Sequence, residues 1–320
     1  MVHYHRFNKK PSIMNTSAES SQEAEKASEA KQADENVADK IGEALNAQRF
    51  QMLEDIACEL AGEVVFPTSF EAAIRLRKAL LNSNLPIPRI ARIVSVEPLV
   101  AAKLIHLANS VLYSPDGTPA RDLQAAISRL GVNMVRTTAL AIAMSQLMRS
   151  KEMAIFSEFT QALWAHTLKT AAAARILART QTRINPDEAL LAGLVHDLGA
   201  FYMLYRAAQY PELRTRPETV KYLIIQWHEG IGVTLLNSLG IPEEIVNASI
   251  DHEQPRAVPE TIRTLADIVY VGNILAGTHF EWLYQDLDPG AGEAGIVRQK
   301  YAALLPEIET ETQEMQAIFA

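Results

Sequence analysis

Residues 189–205 read ALLAGLVHDLGAFYMLY, the densest apolar run in the chain, and they carry His196-Asp197 at their centre. A membrane span needs about 20 predominantly apolar residues with few charges. Here the dyad, Gly193 and Gly199 interrupt the run, so it reads as buried helix. An imidazole and a carboxylate inside such a helix are costly unless they are paired or hold a cation. Neighbouring side chains on a helix point about 100° apart. The dyad can therefore serve one ion only if the helix end unwinds there, and otherwise faces two ions. Gly199 permits close approach of a second backbone beside it.

Outward from the dyad, four more polar residues fall in apolar helical surroundings. They are His166, His228, His252 and Asp267. A lone histidine on an apolar face is usually a satisfied core residue. Six His/Asp groups on five consecutive predicted helices point instead to a metal site. Imidazole suits Zn, Fe and Ni, and carboxylate adds charge for harder ions such as Mn and Mg. Such ions lower the pKa of bound water and bridge phosphate oxygens. The expected ligands are His166, His196, Asp197, His228, His252 and Asp267, with a divalent ion (Fe, Mn, Ni, Zn or Mg) as cofactor. Glu229 and Glu253 stand beside His228 and His252, where they can orient the imidazoles or face solvent.

The 320 residues carry a net charge of −8, unevenly spread. Residues 1–62 hold seven Lys/Arg against eleven Asp/Glu, 63–150 ten against five, and 151–320 thirteen against twenty-two. The acidic last segment speaks against a nucleic-acid binder. Arg75, Arg77, Lys78, Arg89 and Arg92 form a basic group read as ordinary surface. One cysteine, Cys58, excludes an intrachain disulfide and fits a reducing compartment. No secretory h-region is present near the N-terminus, so the expected location is cytoplasmic, with no membrane association.

Hydrophobic spacing gives an all-α chain with no alternating strand signal of any length. Residues 1–40 read as a disordered or loosely helical tail. Residues 41–62 form an amphipathic helix with Ile41, Leu45, Phe50, Leu53, Ile56 and Leu60 on its face. Two packed helical sub-domains follow, over 63–150 and 151–280, then a loop and helix over 281–320. Asn185, Pro186 and the acids Asp187 and Glu188 mark a helix start. Ser157 reads as the cap of the helix before it, and a helix from Glu243 is expected to run to His252.

The order of His166, the adjacent His196-Asp197 in LAGLVHDLG and the later Asp267 in LADIVYVGN resembles the HD superfamily. The stretches LVAAKLIHLANSVLYS, LQAAISRLGVNMVRTTALAIAM and LIIQWHEGIGVTLLNSLGIPEEIVNASIDHEQP together resemble the HDOD family, over about residues 63–280. The resemblance implies a bacterial, all-helical signal-transduction module whose second sub-domain is HD-like. It implies a regulator that binds a protein partner or nucleotide-like ligand. The alternative is a metal-dependent phosphohydrolase acting on a nucleotide or phosphodiester, with Asp197 as the catalytic residue. Two departures tilt the reading toward binding. Ala200 stands where active relatives carry lysine, and the GYP signature of cyclic-dinucleotide phosphodiesterases is absent. A third departure, Asp251-His252 in place of a His-His pair, leaves a carboxylate that could still ligate.

Overall fold

The computed structural model describes residues 43–61, 68–80, 85–254, 256–277 and 292–319, and among them every regular element is helical. The expected tail over 1–40 lies outside the described residues, as does much of the loop after residue 280. In chain order the α-helices are α1 (Glu43–Ala61), α2 (Thr68–Ala79), α3 (Ile87–Val94), α4 (Pro98–Ala108), α5 (Leu123–Met148), α6 (Ser157–Gln181) and α7 (Pro186–Val195). They continue as α8 (Leu198–Ala207), α9 (Pro211–Arg214), α10 (Pro217–Ser238), α11 (Glu243–Ala248), α12 (Leu265–Ala276), α13 (Gly292–Lys300) and α14 (Leu305–Phe319). No described helix is long and apolar enough to cross a membrane.

Local chemistry sets most helix ends. Asp122 caps α5 by accepting from the Ala125 amide, and Asn185 caps α7 by accepting from the Asp187 amide ahead of Pro186. Ser157 does not cap α6. A 3₁₀ turn over Glu152–Phe156 leads directly into that helix, and Phe156 takes the cap position without a side-chain bond. Inside α5, Gly131 sits at φ 78 and ψ 164, a conformation that glycine adopts without steric penalty. The α5 helix bends there, and its second part, Val132–Met148, runs through the core.

One apolar cluster extends from Leu45 to Phe319 and crosses residue 150 without a break. A smaller cluster joins α6 and α12 to α13 and α14 through Ile176, Leu177, Ile268, Val271, Val297 and Ile308. The first helix docks on the body. Its buried residues are Leu45, Met52 and Ile56, whereas Phe50 is 75% exposed. Met52 therefore takes the inward place that spacing alone assigned to Phe50. Polar contacts fix the same docking. Glu59 accepts from Tyr202 Oη at 2.6 Å and from Arg206, Asp55 accepts from Tyr210 Oη, and Gln48 accepts from the Glu212 amide at 2.9 Å.

The last helix docks at the other end. The Phe319 carbonyl accepts from Ser145 Oγ at 2.9 Å and from Arg149 at 3.2 Å. Arg175 on α6 donates to Glu311 on α14 at 3.1 Å, with both side chains buried. Removing one member of a buried ion pair strands the other, at a cost of about 3 kcal/mol. Glu311→Ala is expected to lower the unfolding free energy by that amount in a urea titration, seen as a lower midpoint with an unchanged slope. A change under about 0.5 kcal/mol would show that α14 contributes little to the stability of the body.

Candidate metal centre

Five of the six expected ligands meet in one buried cluster. His166 comes from the middle of α6. His196 and Asp197 lie between α7 and α8, because the helix stops at Val195 and restarts at Leu198. The dyad thus occupies the unwound step that lets both side chains face one place. His228 comes from α10. His252 lies in the irregular segment after α11, which ends at Ala248 rather than continuing to His252. Asp251 supplies that bend with φ 55 and is exposed, so its carboxylate does not join the cluster.

Close backbone crossings bring these segments together. A Cβ on Gly199 would stand 2.0 Å from the His228 carbonyl oxygen and 2.7 Å from the Gly232 amide nitrogen. A Cβ on Gly193 would stand 2.7 Å from Ala171 Cα and 2.9 Å from the Thr170 carbonyl oxygen. The first contact seats α8 on α10, and the second seats α7 on α6. Between them they carry His228 and His166 to the dyad from opposite sides.

Asp197 is the centre. Its Oδ2 lies 3.0 Å from His196 Nε2 and 3.5 Å from His166 Nε2. Its Oδ1 lies 3.3 Å from His252 Nε2 and 3.8 Å from His228 Nε2. The imidazoles also approach one another: Nε2 to Nε2 is 3.3 Å for His166–His196 and 3.5 Å for His228–His252. Two three-residue groups result, His166/His196/Asp197 and Asp197/His228/His252, sharing one carboxylate. Exposure is at most 5% for any of the five.

The far ring nitrogens define the tautomers. His196 Nδ1 donates to the Gly193 carbonyl at 2.8 Å, His228 Nδ1 to Ile224 at 2.8 Å and His252 Nδ1 to Ser249 at 2.9 Å. A carbonyl only accepts, so each of these nitrogens carries a hydrogen. In the neutral ring Nε2 then bears the lone pair, which is the arrangement found behind metal-bound histidines. The donor set of four imidazoles and a bridging carboxylate therefore fits one or two divalent ions.

Charge around the site agrees with this fit. Glu253 is buried, with Oε2 4.0 Å from His228 Nε2. Glu229 Oε1 lies 3.4 Å from His252 Nδ1, and burial pushes its carboxyl above the usual range. Burial lowers the His252 pKa, but Asp197 and Glu253 outweigh it and hold the imidazole up to about 9. Negative potential thus surrounds the four rings.

Asp267 lies apart from this cluster. Its carboxylate accepts from the Arg263 and Thr264 amides at 3.0 and 3.1 Å, while Thr264 Oγ1 accepts from the Asp267 amide. That is a capping box for α12. The residue of α12 that does reach the centre is Asn273. It is fully buried, donates from Nδ2 to the His252 carbonyl at 3.2 Å, and has no hydrogen-bond partner on Oδ1. Spacing gave no hint of Asn273. A buried polar residue in an otherwise apolar helix was the signal available. Ala200 on α8 is fully buried.

A model of the HDOD domain matches residues 66–255. No curated protein matches the chain. Among solved structures, the chain is similar to a Shewanella amazonensis SB2B protein provisionally named a metal-dependent phosphohydrolase. Identity is 22%, coverage 86% of this chain and 100% of that one, and the TM-score 0.65. An HDOD domain protein of unknown function from Geobacter sulfurreducens is 19% identical, with coverage of 82% and 98% and a TM-score of 0.53. A Marinobacter aquaeolei VT8 protein, provisionally named for signal transduction, is 19% identical, with coverage of 85% and 66% and a TM-score of 0.52. These likenesses show a shared fold.

The Gly199 crossing gives a direct test of how the centre is built. Gly199→Ala is expected to cost about 3 kcal/mol in urea unfolding, because the added methyl would meet the α10 backbone at 2.0 Å. Gly230→Ala on α10 is the control. A Cβ there meets nothing within 4 Å, and alanine favours helix. Equal stabilities for the two variants would contradict the close crossing.

Proposed function

The chain belongs to the HDOD family, and on that premise we propose that it is a regulatory binding module whose second half is locked by divalent metal. His166, His196 and Asp197 would hold one ion, and Asp197, His228 and His252 a second. Burial is the observation that carries this reading. All five side chains are at most 5% exposed. Buried, charge-compensated ligands suit an ion that ties helices together. In such a site binding energy becomes folding energy.

Each residue has a definite task in this reading. The carbonyls of residues 193, 224 and 249 hold three imidazoles in one tautomer. Asp197 offers one oxygen to each histidine pair, and Glu253 balances charge. The output of the module would be recognition of a protein partner or a nucleotide-like ligand in a signalling pathway, with the protein resident in the cytoplasm.

The paired site supports a second reading, a metal-dependent phosphohydrolase. A bound pair of divalent ions supplies Lewis acidity and a clamp for phosphate oxygens. Asp197 would then orient the reacting groups. Ala200 weighs against it, since alanine offers no charge at that position to take a phosphate.

Metal analysis of the purified chain, combined with activity screening, separates the readings. The expected result is up to two divalent ions per chain in the wild type, at most one in His252→Ala, and none in Asp197→Ala. Phosphomonoesters, phosphodiesters and nucleotides supplied with Mn, Fe, Ni or Mg should not turn over. Turnover that disappears in Asp197→Ala would overturn the regulatory reading in favour of hydrolysis. Absence of any ion from wild-type protein would overturn the metal part of both.

A further inference from the structure

A second concentration of charge lies away from the histidines. A cleft of about 440 Å³ opens between α2 and α5 on one side and α7 and α11 on the other. Arg77, Asn133, Arg136 and Thr137 line the first wall, and Asp187, Glu188 and Glu244 line the second. The volume falls within the range of small-molecule sites.

The two arginines are only partly satisfied. Arg77 is 5% exposed. Its Nε donates to the Leu239 carbonyl at 3.2 Å and its Nη2 to the Gly240 carbonyl at 3.1 Å, while Nη1 is buried with no hydrogen-bond partner. Arg136 donates from Nη1 to Asn133 Oδ1 at 3.1 Å and from Nη2 to the Leu80 carbonyl, while its Nε is likewise buried and unpartnered. Among the described residues neither guanidinium forms an ion pair. Burial chiefly, and then the charge of Arg136, pull Arg77 down to about 10. Two mutually repelling, half-buried cations beside a cavity call for an anion.

The acids of the opposite wall do not fill that need. Asp187 is engaged elsewhere, accepting from Tyr113 Oη at 3.3 Å and lying 3.7 Å from Arg175 Nε. Glu188 and Glu244 are exposed on the rim. They disfavour a ligand that is anionic throughout and favour one with hydrogen-bond donors at its far end. Arg77 Nη1 and Arg136 Nε remain as single charged donors, the kind of group that suits a phosphate oxyanion.

We propose that this cleft binds a small organic phosphate of mononucleotide size, with the phosphate on Arg77 and Arg136 and hydroxyl or amino groups turned toward Glu188 and Glu244. The proposal deepens the ligand-binding part of the functional reading and is independent of its metal part.

Calorimetric titration of the purified full chain tests it, with metal content measured on the same preparation. The probes are inorganic phosphate, the nucleoside 5′-monophosphates and the matching nucleosides. A monophosphate should bind saturably and nucleosides should not. Arg136→Gln should weaken that binding about tenfold or more, the loss of one charge-assisted contact. Glu244→Gln, a change on the exposed rim that leaves the fold intact, should strengthen inorganic phosphate relative to the nucleotides. Absence of saturable heat from every phosphate at millimolar concentration would overturn the proposal. So would binding unchanged within twofold in both variants. Either result stands whether or not the preparation carries metal, so failure here is distinguishable from failure of the metal reading.

Discussion

A single carboxylate holds the second half of the molecule together. Asp197 has no exposure, and each of its oxygens faces a pair of imidazoles from different parts of the chain. A buried charge of this kind tolerates little displacement, because lost contacts are not replaced by water. The segments that carry the four rings must therefore keep their relative positions. They do so at the closest range that backbone allows, through Gly193 against α6 and Gly199 against α10. Small residues at those crossings are as much a part of the centre as the histidines.

The rest of the fold encloses this arrangement from both ends. The first helix closes over α8 and α9 through Glu59 and Asp55, and the last helix closes over α5 and α6 through Glu311 and the Phe319 carbonyl. A continuous apolar cluster links the two. The expected division at residue 150 corresponds to no gap in that cluster, because the second part of α5 packs against both halves.

Much of the centre was legible in the sequence because its residues break strong apolar patterns. His166, His196, Asp197 and His228 each interrupt a helix that is otherwise buried, and spacing alone brings that out. Asp267 broke such a pattern too, yet it serves a local purpose. The motif Thr264-Leu-Ala-Asp267 is itself a capping signal, and reading it as one would have removed Asp267 from the ligand set. His252 joins the cluster from an irregular segment rather than from the expected helix, since nothing local announces the turn at Asp251. Arg77 was grouped with exposed neighbours. It shares the spacing of Phe70, Ala73 and Leu80, all buried, and that face of α2 carries it inward. Asn273 and the glycine crossings depend on which helices meet, which no single stretch of sequence encodes.

Three of the four imidazoles are aimed by main-chain carbonyls three or four residues earlier in the sequence. The acceptor in each of those bonds is main chain. Substitution at Ile224 or Ser249 that preserves the backbone leaves the ring orientation unchanged, whatever the new side chain. In many metal sites the orienting partners are carboxylates, and their loss is felt as strongly as loss of a ligand. In this chain Glu229 adds a carboxylate at His252 Nδ1, while the main chain supplies the acceptors for His196, His228 and His252, so much of the orientation is stored in the backbone trace rather than in side chains.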